Sequence, residues 1–189
     1  MKVFCVITLL MLCSIVSFSR PSASGKSEGL PKLIEQTRYE TLIDLFKSLD
    51  VELLKSANED KIIKYLAGKN AEIVKYLVTK YPQFGPLEIS DMKDPAVTWF
   101  GLNYAMFEAN GFKPLSIKVN EMQAREIPTW LTCTLSVLGS AVGITEAISG
   151  LGTFSFGSVW AVVKTVVKKY ALGWLGTAVA LVEIAHECF

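Results

Sequence analysis

Apolar and polar positions recur with the period of an α-helix over much of the first half of the chain. In the segment 33–49 the apolar residues fall on one broad face and most charged residues lie opposite, as in an amphipathic helix packed on a core. Asn58 precedes DKIIKYL and Asn70 precedes AEIVKYLVTKY, each in the position of a helix N-cap, with Gly68 between the two segments. The pattern therefore predicts a helix over 33–49 and then two short helices separated at Gly68.

A further helix is predicted from Ala96 to Ala109. Asp94 and Pro95 suit its N-cap and first helical position, and Gly111 suits its C-terminal stop. The N-terminal part of the chain is therefore expected to be a module of packed helices.

A short stretch after that helix has a different period. Leu115, Ile117 and Val119 alternate with polar residues, which is typical of a strand, and 86–90 is its one candidate partner. The predicted fold class is all-α, with one short β-hairpin at this place as the alternative.

The last third of the chain differs in composition from the rest. It is rich in Gly, Ala, Val, Ser and Thr and is nearly free of charge in its first half. Its glycines divide it into Trp130–Ser149, Ser158–Tyr170 and a final helical segment, which predicts a Gly/Ala/Val-rich helical hairpin. The polar segment before Pro128 marks the boundary between an N-terminal helical module, 31–128, and an apolar C-terminal module, 129–189.

The first residues of the chain have the features of an export signal. A lysine precedes an apolar run over 3–16, and small residues suited to cleavage follow it. The sequence predicts a signal peptide over 1–19 that is cleaved after Ser19, a disordered linker over 20–30, and secretion. Attachment of a lipid through Cys13 is the alternative for the localisation.

Only two cysteines, Cys133 and Cys188, remain after such a cleavage. Exported proteins reside where disulfides persist, and two cysteines allow one pairing. A Cys133–Cys188 disulfide is therefore predicted, and two free thiols are the alternative.

No pattern of catalytic residues stands out. The one histidine, His186, follows Glu183 with a spacing used in di-iron helical bundles, but the further carboxylates of such bundles are missing around it. Dinucleotide, phosphate-loop, zinc and calcium motifs are absent from the sequence, and basic and aromatic residues are scattered along a chain of net charge +1. We therefore predict no enzyme activity, no cofactor, no metal and no nucleic-acid partner, and we identify no small-molecule substrate.

Tryptophans lie near the ends of the predicted C-terminal helices, and lysines form a narrow polar face on one of them. With the disulfide and the Gly/Ala/Val-rich composition, this third of the chain resembles the membrane-active segments of bacteriocins and similar secreted antimicrobial peptides. The resemblance implies that residues 20–128 act as a pro-region or cover, and that the C-terminal module contacts a lipid membrane. The implied membrane-contact residues are Trp130, Trp160, Trp174, Lys164, Lys168 and Lys169.

Two functions from different classes are predicted. The first is a secreted precursor or holoprotein of a membrane-active, bacteriocin-like antimicrobial, with proteolytic processing at Arg125 in the polar junction. The second is a secreted all-helical structural or binding protein whose apolar C-terminal hairpin is only its core. Dye release from anionic liposomes distinguishes them, because only the first requires membrane insertion.

Overall fold

Helices dominate the computed structural model, which describes residues 38–112, 128–137, 148, 151 and 155–189. No strand occurs among these residues, so the predicted all-α fold is confirmed. The segment 86–90 is not a strand, and 115–119 lies outside the described residues. The helices are α1 (Leu42–Lys47), α2 (Val51–Ser56), α3 (Glu59–Lys80), α4 (Pro95–Ala109), α5 (Thr129–Val137), α6 (Phe156–Lys169) and α7 (Trp174–Cys188), with a 3-10 turn at Pro82–Phe84.

The helix predicted over 33–49 is shorter in its described part. α1 begins only at Leu42, because the backbone and hydroxyl of Thr41 both donate to the carboxylate of Asp44 and fix the start of the helix there. The pKa of Asp44 lies below its usual value, chiefly because its carboxylate accepts the hydrogen bond from the Thr41 hydroxyl. Asp50 then caps α2 by accepting from the amide of Leu53 at 2.9 Å.

The longest helix, α3, runs through Gly68 without a break, so the prediction of two short helices was wrong. Ile62 and Ile73 are eleven residues apart, close to three helical turns, and both are buried. The two halves of α3 therefore bury the same face. The burial of this face outweighs the cost of about 1 kcal/mol for a glycine inside a helix.

The two asparagines of α3 have different roles. Asn58 is the N-cap, as predicted, and accepts from the amide of Lys61 at 3.1 Å. Asn70 is fully buried in the middle of the helix, so its prediction as an N-cap was wrong. Its side-chain amide donates to the carbonyl of Met92 at 2.8 Å, and its side-chain oxygen accepts from the hydroxyl of Thr98 at 2.8 Å. Asn70 thus fastens α3 to α4 and to the loop before it.

α4 is the central helix of the fold. It begins as predicted, with the side chain of Asp94 accepting from the amide of Ala96 at 2.9 Å. Every residue from Ala96 to Phe107 is buried, and α1, α3, α6 and α7 all pack against this helix. Gly101 permits the close approach of α3, since a Cβ there would lie 2.7 Å from a side-chain carbon of Ile73.

The C-terminal helices pack against the N-terminal ones. α5 packs chiefly on α7, α6 packs on α4, and α7 also contacts α2 and α3. The described residues belong to one compact unit, Gln36–Phe189, and apolar side chains from both sides of the predicted boundary at 128 share its core. Independent folding of 31–128 and 129–189 stays a prediction for experiment.

Candidate functional site

The predicted disulfide is confirmed. Cys133 in α5 is bonded to Cys188 at the end of α7, with their Cα atoms 5.4 Å apart. Next to the bond, the rings of Trp130 and Phe189 meet edge to face with centroids 6.3 Å apart. The bond therefore fastens α5 to the last turn of the chain.

The three tryptophans predicted to contact membrane lie in or against the protein core. Trp174 is only 8% exposed. Trp160 is half-buried, and its ring meets Phe100 of α4 edge to face at 5.6 Å. Trp130 is also half-buried. In the folded protein these rings therefore offer little area to a lipid surface, although their contact with lipid stays a prediction.

The three lysines predicted to contact membrane, Lys164, Lys168 and Lys169, are all exposed on α6. No carboxylate of the described residues lies within ion-pair distance of their ammonium groups. The ammonium of Lys164 lies 5.4 Å from the centre of the Trp160 ring. The lysine face borders an open cavity of about 370 Å³ whose lining is Asp94, Ala96, Lys164, Thr165, Val167 and Lys168.

Asp94 is the acidic residue of that cavity, but its carboxylate already caps α4. The carboxylate of Asp94 therefore partly neutralises the positive charge of Lys164 and Lys168. Lys169 and the end of α6 lie beyond the cavity lining, so the positive charge extends toward α7.

Beyond these lysines, α6 turns into α7 at an exposed place that the sequence analysis did not single out. We define the α6–α7 corner as Lys164, Lys168, Lys169 and the turn Tyr170–Gly173 with Leu175 and Val179. Tyr170 is 44% exposed, Leu175 53% and Val179 58%, and these are three of the five large apolar side chains most exposed in the described chain. Leu175 and Val179 are one helical turn apart and so lie on one face of α7.

The backbone of the corner is strained at Ala171, whose φ is +49°. The amide of Leu172 donates to the carbonyl of Val167 at 3.1 Å and that of Ala171 to Lys168 at 3.3 Å, which is the Schellman closure of a helix. This closure usually places glycine at the left-handed position, where another residue costs about 1–2 kcal/mol. Residues held in such conformations are often found at functional sites, which makes the corner a candidate site.

A second polar feature, the Glu108 cluster, consists of Glu108, Tyr76, Tyr81 and Lys80. One carboxylate oxygen of Glu108 accepts from the hydroxyl of Tyr76 at 2.6 Å and from that of Tyr81, and it lies 3.1 Å from the ammonium of Lys80. The other oxygen accepts from the amide of Leu42 at 2.7 Å. The cluster thereby joins the start of α1 and the ends of α3 and α4.

The chemistry of the Glu108 cluster fits a structural role. Burial, then the hydrogen bond and negative charge of Glu108, raise the pKa of both Tyr76 and Tyr81 well above the usual value. Both phenols are therefore protonated donors at any physiological pH, which does not suit a nucleophile or a base. Sequence reasoning missed the cluster, because its members are far apart in the chain.

Within the described ranges, no three His, Cys, Asp or Glu side chains gather as a metal site, and no helix has the length and apolarity to cross a membrane. His186 is exposed at the end of α7, where it contacts Glu187 at 3.2 Å. Ser19, Arg125 and Cys13 lie outside the described residues. No protein-family model, curated protein or solved structure matches the chain.

Proposed function

We propose that this chain is a secreted, disulfide-stabilised helical binding protein that works as one folded body. One observation carries the proposal: the buried hydrogen bond from the indole nitrogen of Trp99 to the hydroxyl of Thr177, at 2.9 Å. Trp99 is 3% exposed and Thr177 is 1% exposed. The bond joins α4 to α7, on either side of the predicted boundary at 128.

Release of the C-terminal helices would disrupt the core on both sides of that boundary. Trp99 would lose its buried acceptor, and an unsatisfied buried donor costs about 1–3 kcal/mol. Apolar side chains of the released helices would also enter water, at about 1.5–3 kcal/mol each. The fully buried or nearly fully buried ones are Phe156, Val159, Val163, Leu181 and Ile184.

The binding role is assigned to the exposed surface. A contiguous exposed apolar surface on a soluble protein often marks an interaction site, whereas scattered apolar residues do not. The α6–α7 corner combines exposed apolar side chains with backbone strain, and it needs no catalytic residue to act. It is therefore the interaction surface that we assign to this protein.

A second candidate is the precursor of a membrane-active, bacteriocin-like antimicrobial. In this alternative, cleavage at Arg125 frees residues 129–189, which then insert into a membrane. The exposure of Lys164, Lys168 and Lys169 favours it, because clustered cations attract a segment to anionic lipid.

The first proposal is tested by unfolding the oxidised full chain with the variant Thr177→Val. We expect one cooperative transition, with circular dichroism and tryptophan fluorescence coinciding, and a loss of about 1–2 kcal/mol in the free energy of unfolding because the Trp99 donor is left unpaired. Thr165→Val is the matched control, because Thr165 is exposed and bonds only within α6, to the carbonyl of Ala161. We expect it to change stability by less than about 0.5 kcal/mol.

Two separate transitions would contradict the proposal, since they would mean that the modules fold independently. A soluble tryptic fragment ending at Arg125, together with dye release from anionic liposomes only after digestion, would instead establish the second candidate.

A further inference from the structure

The end of α6 and the start of α7 carry positive charge without acidic residues. The described stretch 155–182 holds Lys164, Lys168 and Lys169 and no Asp or Glu. The next acidic residue along α7, Glu183, is exposed one helical turn beyond Val179 and two turns beyond Leu175. The three lysines therefore outnumber the one carboxylate beside them, that of Asp94 in the cavity that Lys164 and Lys168 line, on a chain whose net charge is only +1.

The same corner exposes the apolar residues suited to an interface with lipid. Tyr170 is amphipathic, with an exposed ring and the ammonium of Lys169 at 5.4 Å from its centre. Leu175 and Val179 are more than half exposed. Lysines beside protruding aliphatic and tyrosine side chains are the combination with which peripheral proteins hold the headgroup region.

We propose that the α6–α7 corner docks the folded protein on an anionic membrane surface, with Lys164, Lys168 and Lys169 facing the headgroups. This inference rests on the proposed function, since it requires the C-terminal helices to stay in the core. Attachment is peripheral, because Trp174 and the other core residues of α7 remain buried and only the corner enters the interface.

A lipid surface fits the corner better than an acidic protein does. A stable protein interface needs about 800 Å² on each partner and a packed apolar centre. The corner offers only three exposed apolar side chains, Tyr170, Leu175 and Val179, which is less apolar area than such a centre needs. Lipid requires no shape complementarity, and a few cations and apolar side chains suffice for reversible attachment.

The strained turn fits the same role. The left-handed Ala171 ends α6 and lets α7 begin after only the four residues Tyr170–Gly173, so a short connection separates the last lysines of α6 from the exposed start of α7. A looser connection would let the two helix ends separate.

The test is cosedimentation of the oxidised full chain with vesicles of equal parts phosphatidylcholine and phosphatidylglycerol, at low and at physiological salt. We expect binding that weakens with salt, and weak binding to phosphatidylcholine alone. The variant Lys164→Glu/Lys168→Glu/Lys169→Glu should lose on the order of a hundredfold in partition coefficient. The control with the same change in charge, on exposed lysines of α3, is Lys61→Glu/Lys64→Glu/Lys75→Glu.

The apolar part of the corner is tested separately. Leu175→Gln/Val179→Gln should lower the partition coefficient by about tenfold without loss of helix content, because Gln is a good helix former. Val78→Gln is its control, since Val78 is 42% exposed on α3, away from the corner.

Three results would overturn the inference. They are no binding by the wild-type chain, an equal loss of partition coefficient in the corner variant and the lysine control, or equal binding to anionic vesicles and to phosphatidylcholine alone. The first of these with a single cooperative unfolding transition leaves one folded binding protein standing but removes the α6–α7 corner as its interaction surface. Two separate unfolding transitions would overturn the proposed function itself, whatever the vesicles show.

Discussion

Two regions of the helical unit, which we call the Glu108 end and the disulfide end, are held together by different chemistry. At the Glu108 end, one carboxylate joins α1, α3 and α4 by accepting three hydrogen bonds, from Leu42, Tyr76 and Tyr81, and by an ion pair with Lys80. At the other end, a single covalent bond joins α5 to α7. The difference follows from how many residues the helices at each end bury.

α5 has little of its own to bury. In its described nine residues only Leu131 and Thr134 are buried, and the hydroxyl of Thr134 has no hydrogen-bond partner in the described structure. An unpaired buried hydroxyl reduces the gain from burying that residue. By contrast, α4 buries twelve consecutive residues, Ala96 to Phe107. The comparison teaches that α5, which buries few residues, depends on its disulfide. The Glu108 end instead depends on well-placed polar contacts within a large core.

Loss of the disulfide is expected to have the largest effect. The bond joins residues 55 positions apart, and in the chain-entropy model its removal costs about 4 kcal/mol. We therefore expect Cys133→Ala/Cys188→Ala to lower the free energy of unfolding by about that amount in a urea titration. Hydrogen exchange should rise first in α5, since only two of its nine described residues are buried.

The reduced wild-type chain is the control, because it keeps both side chains and lacks only the bond. It should match the double variant within about 1 kcal/mol. A loss below about 1 kcal/mol in both would mean that α5 is held by its packing, and the contrast between the two ends would disappear.

Glu108→Gln tests the Glu108 end and is expected to lower the free energy of unfolding by about 3 kcal/mol. The buried side chain would lose its negative charge and one of the two oxygen atoms that accept from its ammonium, phenol and amide partners. The side chain of Glu108 is only 12% exposed. Glu72→Gln is the matched control: Glu72 pairs with Lys69 at 3.2 Å and accepts from Tyr39, but it is 40% exposed. The control should cost less than about 1 kcal/mol. Equal losses in the two variants would show that burial of the cluster adds nothing.

Local signals in the sequence predicted the structure well where one short segment decides it. Asp94 and Gly111 mark the two ends of α4, because caps depend on a few adjacent residues. The disulfide followed from the small number of cysteines left for pairing. Asn70 was misassigned, because an asparagine two residues after a glycine has the same local pattern as a cap, and only the approach of Thr98 from α4 shows its actual partner.

The candidate site was predicted only in part. The lysines of α6 are exposed, and their spacing in the sequence already placed Lys164 and Lys168 on one face. The tryptophans were assigned to a membrane by their position near helix ends; Trp174 is buried in the folded chain, and its contact with lipid stays a prediction. The exposure of Leu175 and Val179 and the strain at Ala171 have no sequence signal, because burial of α7 and the left-handed turn are set by tertiary packing.

The smallest expected effect compares the C-terminal ends of α4 and α6, which close with the same Schellman pattern. Gly111 has φ +64° and Ala171 has φ +49°, so only one of the two turns has the residue that the conformation favours. A Cβ added at Gly111 meets no atom within 4 Å, so Gly111→Ala reports backbone strain alone and should cost about 1 kcal/mol. Ala171→Gly should gain up to about 0.5 kcal/mol, since relief of strain is offset by the greater freedom of glycine when unfolded. Urea titration measures the free energy of unfolding of both variants.

If Ala171→Gly also weakens binding to anionic vesicles, the rigidity of the turn contributes to docking, because the substitution changes no exposed apolar or charged side chain beyond one methyl group. Unchanged binding would assign docking to the lysines and apolar residues alone, and the strain at Ala171 would then be a cost of reversing the chain.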